Sequence, residues 1–230
     1  MKKIIVILIF ASCILNISAQ NSLSELPNFE RYKIPNEEIL SMPAQHNRVV
    51  FIGNSITDAW PEVRPDFFKD NNYVGRGIGG QTSPQLLLRF RKDVIELKPQ
   101  IVVINIGTND IAENTGKYNP QYTLDNIMSM TDIALANGVK VILSSVLPVG
   151  EYPWRKDIKN ASQIVDSLNA AIRNYAVMND IPYADYNANM RDSNGALIED
   201  LGHDGVHPVE KGYKVMETVI QPIIKSLLRK

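Results

Sequence analysis

The run Ile101-Val102-Val103-Ile104-Asn105-Ile106, halted by Gly107-Thr108-Asn109-Asp110, decides how this chain folds. Five of its six residues are β-branched and apolar, and the run is too short for a buried helix. It reads as a strand. Arg48 to Ile52 repeats the pattern and stops at Gly53, a strand buried on both faces, as parallel sheets require. Downstream, Pro120 to Ala136 is helical and stops at Asn137-Gly138, and Val139 to Val146 is a further strand. A long helix from Asp157 to Met178, a short strand from Ile181 to Ala184 and a closing helix from Val209 to Leu228 follow. Pro222 is expected to interrupt or kink that last helix.

Between the first two strong strands, Pro61 to Lys69 reads as a helix with proline near its first turn. Tyr73-Val74 reads as a short strand running into Gly75-Arg76-Gly77-Ile78-Gly79-Gly80. Thr82 or Ser83 then caps a helix whose Leu86, Leu87, Phe90, Val94, Ile95 and Leu97 recur at helical spacing. Five strands alternating with helices imply an α/β fold, a parallel sheet covered on both faces. Residues 20–46 read as a lead-in segment with one short helix, and residues 47–230 as one domain. In such sheets the polar residues just past the strand C-terminal ends converge on one crevice.

Composition narrows the function. The chain has 230 residues, 24 Lys plus Arg against 25 Asp plus Glu, 21% charged residues and one cysteine. A single cysteine forms no internal disulfide. A net charge of −1 gives no electrostatic reason to expect nucleic acid or an anionic membrane as partner. Lys2-Lys3, the apolar stretch Ile4 to Ile14 and the small residues before Gln20 form a secretory signal pattern, too short to span a bilayer comfortably. Removing residues 1–19 leaves 211 residues and a net charge of −3. The competing reading is a lipoprotein box at Phe10-Ala11-Ser12-Cys13, with Cys13 lipidated, although the residues after Cys13 stay apolar. Either reading exports the protein, with no stable membrane insertion after signal removal.

The polar residues past the strand ends carry the chemistry. Ser55 in Gly53-Asn54-Ser55-Ile56-Thr57-Asp58 is either a helix cap or a nucleophile. A nucleophile needs a base, and His207 in His203-Asp204-Gly205-Val206-His207-Pro208 can serve, with Asp204 close enough in a tight turn to reach its Nδ1. Of the other histidines, His46 precedes the first strand, at the wrong end of the sheet. His203, Asp204 and His207 also suggest a metal, but Gly205 and Pro208 argue against the helix that a four-residue spacing needs, so no metal is expected. Gly75-x-Gly77-x-x-Gly80 has dinucleotide-binding spacing, yet it follows the second strand, and the next strand ends without an acidic residue for a ribose. The alternative is that these glycines turn the chain and aim the Gly80 amide at a developing oxyanion. Asn109 is either turn chemistry or a further donor.

Taken together, these blocks resemble the SGNH hydrolases, also called GDSL-type esterases. Gly53-Asn54-Ser55-Ile56 stands for Gly-Asp-Ser-Leu, Gly80 for the second-block glycine, Gly107-Thr108-Asn109-Asp110 for Gly-x-Asn-Asp, and Asp204-Gly205-Val206-His207-Pro208 for Asp-x-x-His-Pro. The resemblance implies a flavodoxin-like three-layer α/β/α sandwich. It implies a catalytic Ser55, Asp204 and His207, and an oxyanion hole of Ser55, Gly80 and Asn109, with no cofactor. Asn54 and Ile56 depart from the family pattern, and the usual second-block asparagine is missing near Arg76.

The expected activity is ester hydrolysis through an acyl-serine, removing small acyl groups such as acetyl from carbohydrates. Asn54, Trp60, Arg76, Tyr152 and Trp154 are the expected substrate contacts. Lipid acylhydrolysis (a lysophospholipase) or thioester cleavage is the runner-up, and a non-catalytic glycan-binding module is the reading from another class.

Overall fold

The computed structural model describes residues 26–43 and 46–229. The signal pattern and Cys13 lie outside the described residues. Five strands, β1 (Val49–Gly53), β2 (Tyr73–Gly77), β3 (Ile101–Asn105), β4 (Lys140–Ser144) and β5 (Tyr183–Ala184), form one sheet. Their order is β2-β1-β3-β4-β5, and every pairing is parallel. The register sets Gly53 level with Gly77 on one side and Asn105 on the other. The chain therefore leaves three adjacent strands at one height, and the loops that follow meet there.

Nine helices are described: α1 (Lys33–Ser41), α2 (Ser55–Val63), α3 (Pro65–Lys69), α4 (Ser83–Asp93), α5 (Thr108–Ile111), α6 (Pro120–Ala136), α7 (Ala161–Met178), α8 (Asn187–Met190) and α9 (Glu210–Leu228). Strand residues alternate between two apolar layers. Val50, Ile52, Val102 and Ile104 pack under Leu86 and Phe90 of α4, Met130 of α6 and Leu168 of α7. Val49, Phe51 and Val103 face Trp60, Phe67, Tyr213 and Ile220 on the opposite side. These two layers and the sheet make the three-layer sandwich.

Local chemistry sets the helix ends. At α4, Thr82 and Gln85 form a reciprocal capping box. At α6, the Asn119 side chain accepts the Gln121 and Tyr122 amides, and Pro120 occupies the first turn.

Three local expectations are corrected. The helix expected to begin at Pro61 begins at Ser55, because the Asn54 carboxamide accepts the Ile56 amide and caps the first turn. It ends at Val63, because the capping residue Arg64 precedes Pro65 and sits at φ −130°, ψ 61°, outside the helical region that a following proline disfavours. Strand β2 extends through Gly75, Arg76 and Gly77 rather than stopping at Val74. Gly77 is needed there for close approach, since a Cβ would collide with the backbone of Thr57 and Asp58 in α2. Finally, α9 continues uninterrupted through Pro222.

A buried ionic knot joins these parts. Arg89 is fully buried and donates to Asp93 Oδ2 (2.8 Å), Gln81 Oε1 (2.6 Å), Arg76 O (3.0 Å) and Gly53 O (2.9 Å). It ties the ends of β1 and β2 to α4. Arg89→Met leaves a buried carboxylate and two carbonyls without this partner, at an expected cost of about 3–5 kcal/mol. For a chain of this size that corresponds to a Tm lower by on the order of 10 °C. A thermal melt of the variant within about 2 °C of the parent would contradict this.

Candidate active site

Ser55 opens α2 immediately after β1, so its amide is among the first-turn N–H groups that no helical carbonyl accepts. Its Oγ lies 2.8 Å from His207 Nε2. The other ring nitrogen, Nδ1, lies 2.7 Å from Asp204 Oδ2. Asp204 Oδ1 accepts the amides of Val206 (2.9 Å) and His207 (2.8 Å). The loop that carries this pair is pinned at its ends. Gly202 bridges Pro208, the His203 amide donates to His207 O, and the Val206 side chain is buried in the core.

Partial burial disfavours ionisation of Asp204, but the two amides and the imidazole outweigh it and hold the carboxyl below the usual aspartate value. An ionised Asp204 accepts from Nδ1–H and leaves Nε2 as the acceptor for the Ser55 hydroxyl.

The turn that follows β2 passes close to the same serine. Gly80 adopts φ +77°, a left-handed turn. The chain around it is held from three sides: Asp58 Oδ2 accepts the Gly79 amide (3.1 Å), Asn114 Nδ2 donates to Gly80 O (3.1 Å), and Asn109 Nδ2 donates to Gln81 O (3.0 Å). A Cβ built on Gly79 would lie 3.8 Å from both Ser55 Cβ and Asp58 Oδ2, so this turn passes directly beside the hydroxyl. Asn109 is buried in α5 at the end of β3 and uses one amide proton on Gln81, leaving a second available.

Residues 51–215 match the model of the GDSL-like Lipase/Acylhydrolase family. The chain belongs to that family. A GDSL-like lipase from Bacteroides thetaiotaomicron is 53% identical in its crystal structure, with a TM-score of 0.85, covering 88% of this chain and 99% of that one. An acetylxylan esterase of Xylanibacter ruminicola is 25% identical over 213 residues, 77% of this chain and 43% of that protein. An uncharacterized lipoprotein of Bacillus subtilis, YqeF, is 35% identical over 81 residues, 34% of this chain and 33% of that protein. The chain thus spans less than half the length of these two curated relatives.

A cleft of about 680 Å³ opens beside Ser55 and His207 in this family member, and Arg31, Asp58, Glu62 and Glu210 line it. His203 stacks on His207, with ring centroids 5.7 Å apart. The ligand atoms of His203, Asp204 and His207 lie within 4.8 Å of one another. Both His207 nitrogens are already engaged, however, so an ion there would have to displace Ser55 or Asp204.

Of the five expected substrate contacts, only Trp154 is at the surface. It is 42% exposed, its ring centroid is 6.1 Å from that of His207, and Nε1 donates to Asn114 Oδ1. The other four are corrected, because burial withdraws them from substrate. Asn54 caps α2. Trp60 packs between Phe67 and Tyr213 and donates to Glu217. Arg76 donates to Asn36 Oδ1 (2.7 Å) and lies over the Tyr32 ring, where burial pushes its guanidinium down to about 10. Tyr152 is fully buried, shares a hydrogen bond with Thr108 and supports Trp154 from below.

Reading the sequence alone missed Arg31, Asp58 and Asn114 as residues around the site. Asp58 carried a signal, being one helical turn after Ser55 on α2. Arg31 and Asn114 carried none, since tertiary packing delivers both.

Proposed function

We propose that this protein is a serine esterase that hydrolyses carboxylic esters through an acyl-serine and removes small acyl groups, chiefly acetyl, from carbohydrates. The observation that carries the proposal is the unbroken hydrogen-bonded chain Ser55–His207–Asp204 at 2.8 and 2.7 Å. His207 Nε2 takes the hydroxyl proton as Oγ attacks the carbonyl carbon, and Asp204 stabilises the imidazolium. The Ser55 and Gly80 amides and the Asn109 carboxamide stabilise the oxyanion. His207 then gives its proton to the departing alcohol. Water, activated by the same nitrogen, hydrolyses the acyl-serine.

The substrate class follows from where the alcohol must sit. The proton donor is His207, so the leaving group occupies the cleft on its side. Glu62 and Glu210 there offer charged acceptors suited to a polyhydroxylated molecule. Trp154 beside His207 offers an aromatic face to a sugar ring. The acetylxylan esterase relative supports the same reading. Export through residues 1–19 would bring the enzyme to extracytoplasmic glycans, and the lipoprotein relative keeps lipidation at Cys13 as the competing form.

Nitrophenyl esters of two to sixteen carbons, together with acetate release from acetylated xylo-oligosaccharides, test the proposal. The acetyl ester is expected to have the highest kcat/KM, with loss of at least about 10-fold by eight carbons. A rise in kcat/KM with chain length would replace this reading with lipid acylhydrolysis.

A further inference from the structure

Asp58 stands at a junction that the proposed chemistry does not itself use. Its Oδ2 accepts the Gly79 amide at 3.1 Å, while its Oδ1 accepts from Arg31 Nη2 at 3.1 Å and Tyr32 OH at 3.4 Å. Asp58 sits in the first turn of α2, where its own amide donates to Asn54 O. Residues 26–32 reach the same loop by other routes. Tyr32 OH donates to Gly77 O, Gln81 Nε2 to Pro27 O (3.1 Å), and Gln85 Nε2 to Leu26 O (3.0 Å). The lead-in segment is thus fastened along the turn that presents the Gly80 amide.

We infer that Asp58 is a positioning residue for the oxyanion hole, and that Arg31 of the lead-in segment neutralises it. This rests on the serine-esterase reading above. By accepting the Gly79 N–H, Asp58 fixes the orientation of the strand-to-helix turn one residue before Gly80. A misaimed Gly80 donor stabilises the tetrahedral intermediate poorly, because such donors act only when aligned in advance. An aspartate is a hazardous residue for this task. Its negative charge would lie near the substrate oxygen that becomes negative, and like charges repel. Arg31 removes that conflict.

The Arg31–Asp58 pair is also poorly suited to a purely stabilising role. The two side chains are 47% and 26% exposed, and pairs in that range contribute little to folding. Their placement beside Ser55 is what gives the pair an effect.

The test compares Asp58→Ala, Asp58→Asn, Arg31→Gln and the Arg31→Gln/Asp58→Asn double variant of the full chain, with Ser55→Ala as control. The readouts are kcat and KM on nitrophenyl acetate, the inhibition constant of phenylboronic acid (which adds to the serine as a tetrahedral anion) and the thermal melt.

Asp58→Ala is expected to lower kcat about 10- to 100-fold, less than outright loss of a donor, with KM changed under threefold. Its boronate inhibition constant should rise in parallel. Asp58→Asn keeps an oxygen for the Gly79 amide and should stay within about threefold of the parent. Arg31→Gln leaves the carboxylate uncompensated and should lose about 3- to 10-fold in kcat, partly regained at about 0.5 M salt. Adding Asp58→Asn to Arg31→Gln should raise kcat again, a sign that mere loosening of the fold would not produce.

An inert Ser55→Ala with Asp58→Ala within twofold of the parent overturns this inference alone. So does an Asp58→Asn enzyme as damaged as Asp58→Ala. If Asp58→Ala does not fold, the two Arg31→Gln variants decide, and a double variant no better than the single overturns it. A Ser55→Ala enzyme that still turns over removes the serine-esterase reading, and this inference falls with it.

Discussion

Ser55→Ala is expected to lower kcat on nitrophenyl acetate by on the order of 10⁴- to 10⁶-fold while leaving the melt unchanged. The hydroxyl is the only atom that can carry the acyl group in the proposed cycle, so its removal deletes the covalent route. Folding is spared for a separate reason. The cap of α2 is the Asn54 side chain, and Ser55 Oγ hydrogen-bonds to His207. In the proposed cycle the residual rate is expected to come from the Gly80 and Asn109 donors acting on water attack. A burst of nitrophenol in the parent, absent in the variant, would report the acyl-serine directly. Retention of more than about a tenth of the parent kcat would remove Ser55 as nucleophile.

Asp204→Asn is expected to cost about 10⁴-fold in kcat with little change in overall structure. The carboxamide can still accept through one atom from the Val206 and His207 amides, which preserves the loop. Its nitrogen, however, would face His207 Nδ1 and favour the tautomer that protonates Nε2, leaving no acceptor for the Ser55 proton. The carboxyl is held below its usual value, which fixes the sign of its acid behaviour. Its contribution to stability is fully present above the unfolded aspartate value and is lost only as pH falls through the lower folded value. Loss of kcat/KM at mildly acidic pH in the parent therefore does not come from Asp204, whose carboxyl stays ionised there. A variant with kcat within 10-fold of the parent would show that Asp204 does not set the tautomer.

Much of this was legible in one dimension. The apolar runs at 48–52 and 101–106 carry a strand period and a length that leave a parallel sheet as the economical solution, and the observed order is flavodoxin-like. Pro120 and Asn137-Gly138 bracket α6 because capping is local chemistry. The serine, glycine, asparagine and Asp-x-x-His blocks were visible because each sits at a strand end or in a tight loop. There backbone geometry narrows the residue types allowed.

The failures share a cause. Trp60 and Tyr152 follow strands in sequence, Arg76 sits near the end of β2, and all three are chemically suited to binding, yet all are buried. Whether a side chain after a strand turns to solvent or to core depends on which helix crosses it. Trp60 is claimed by Phe67 and Tyr213, and Arg76 by Asn36 and Tyr32, partners up to 153 residues away in the chain. Pro61 misled the helix assignment for the opposite reason, since a local proline signal was overridden by the Asn54 cap.

The chain's linear order alone determined the alternation of strands and helices, the sheet that results, and the residue types gathered at its carboxyl edge. These depend on short-range periodicity and on steric limits within a few residues. Tertiary structure alone decided that Ser55 and His207, 152 positions apart, stand 2.8 Å from each other, and that Arg31 reaches Asp58. Distances of that kind arise from the packing of whole layers, and no local pattern in the sequence encodes them.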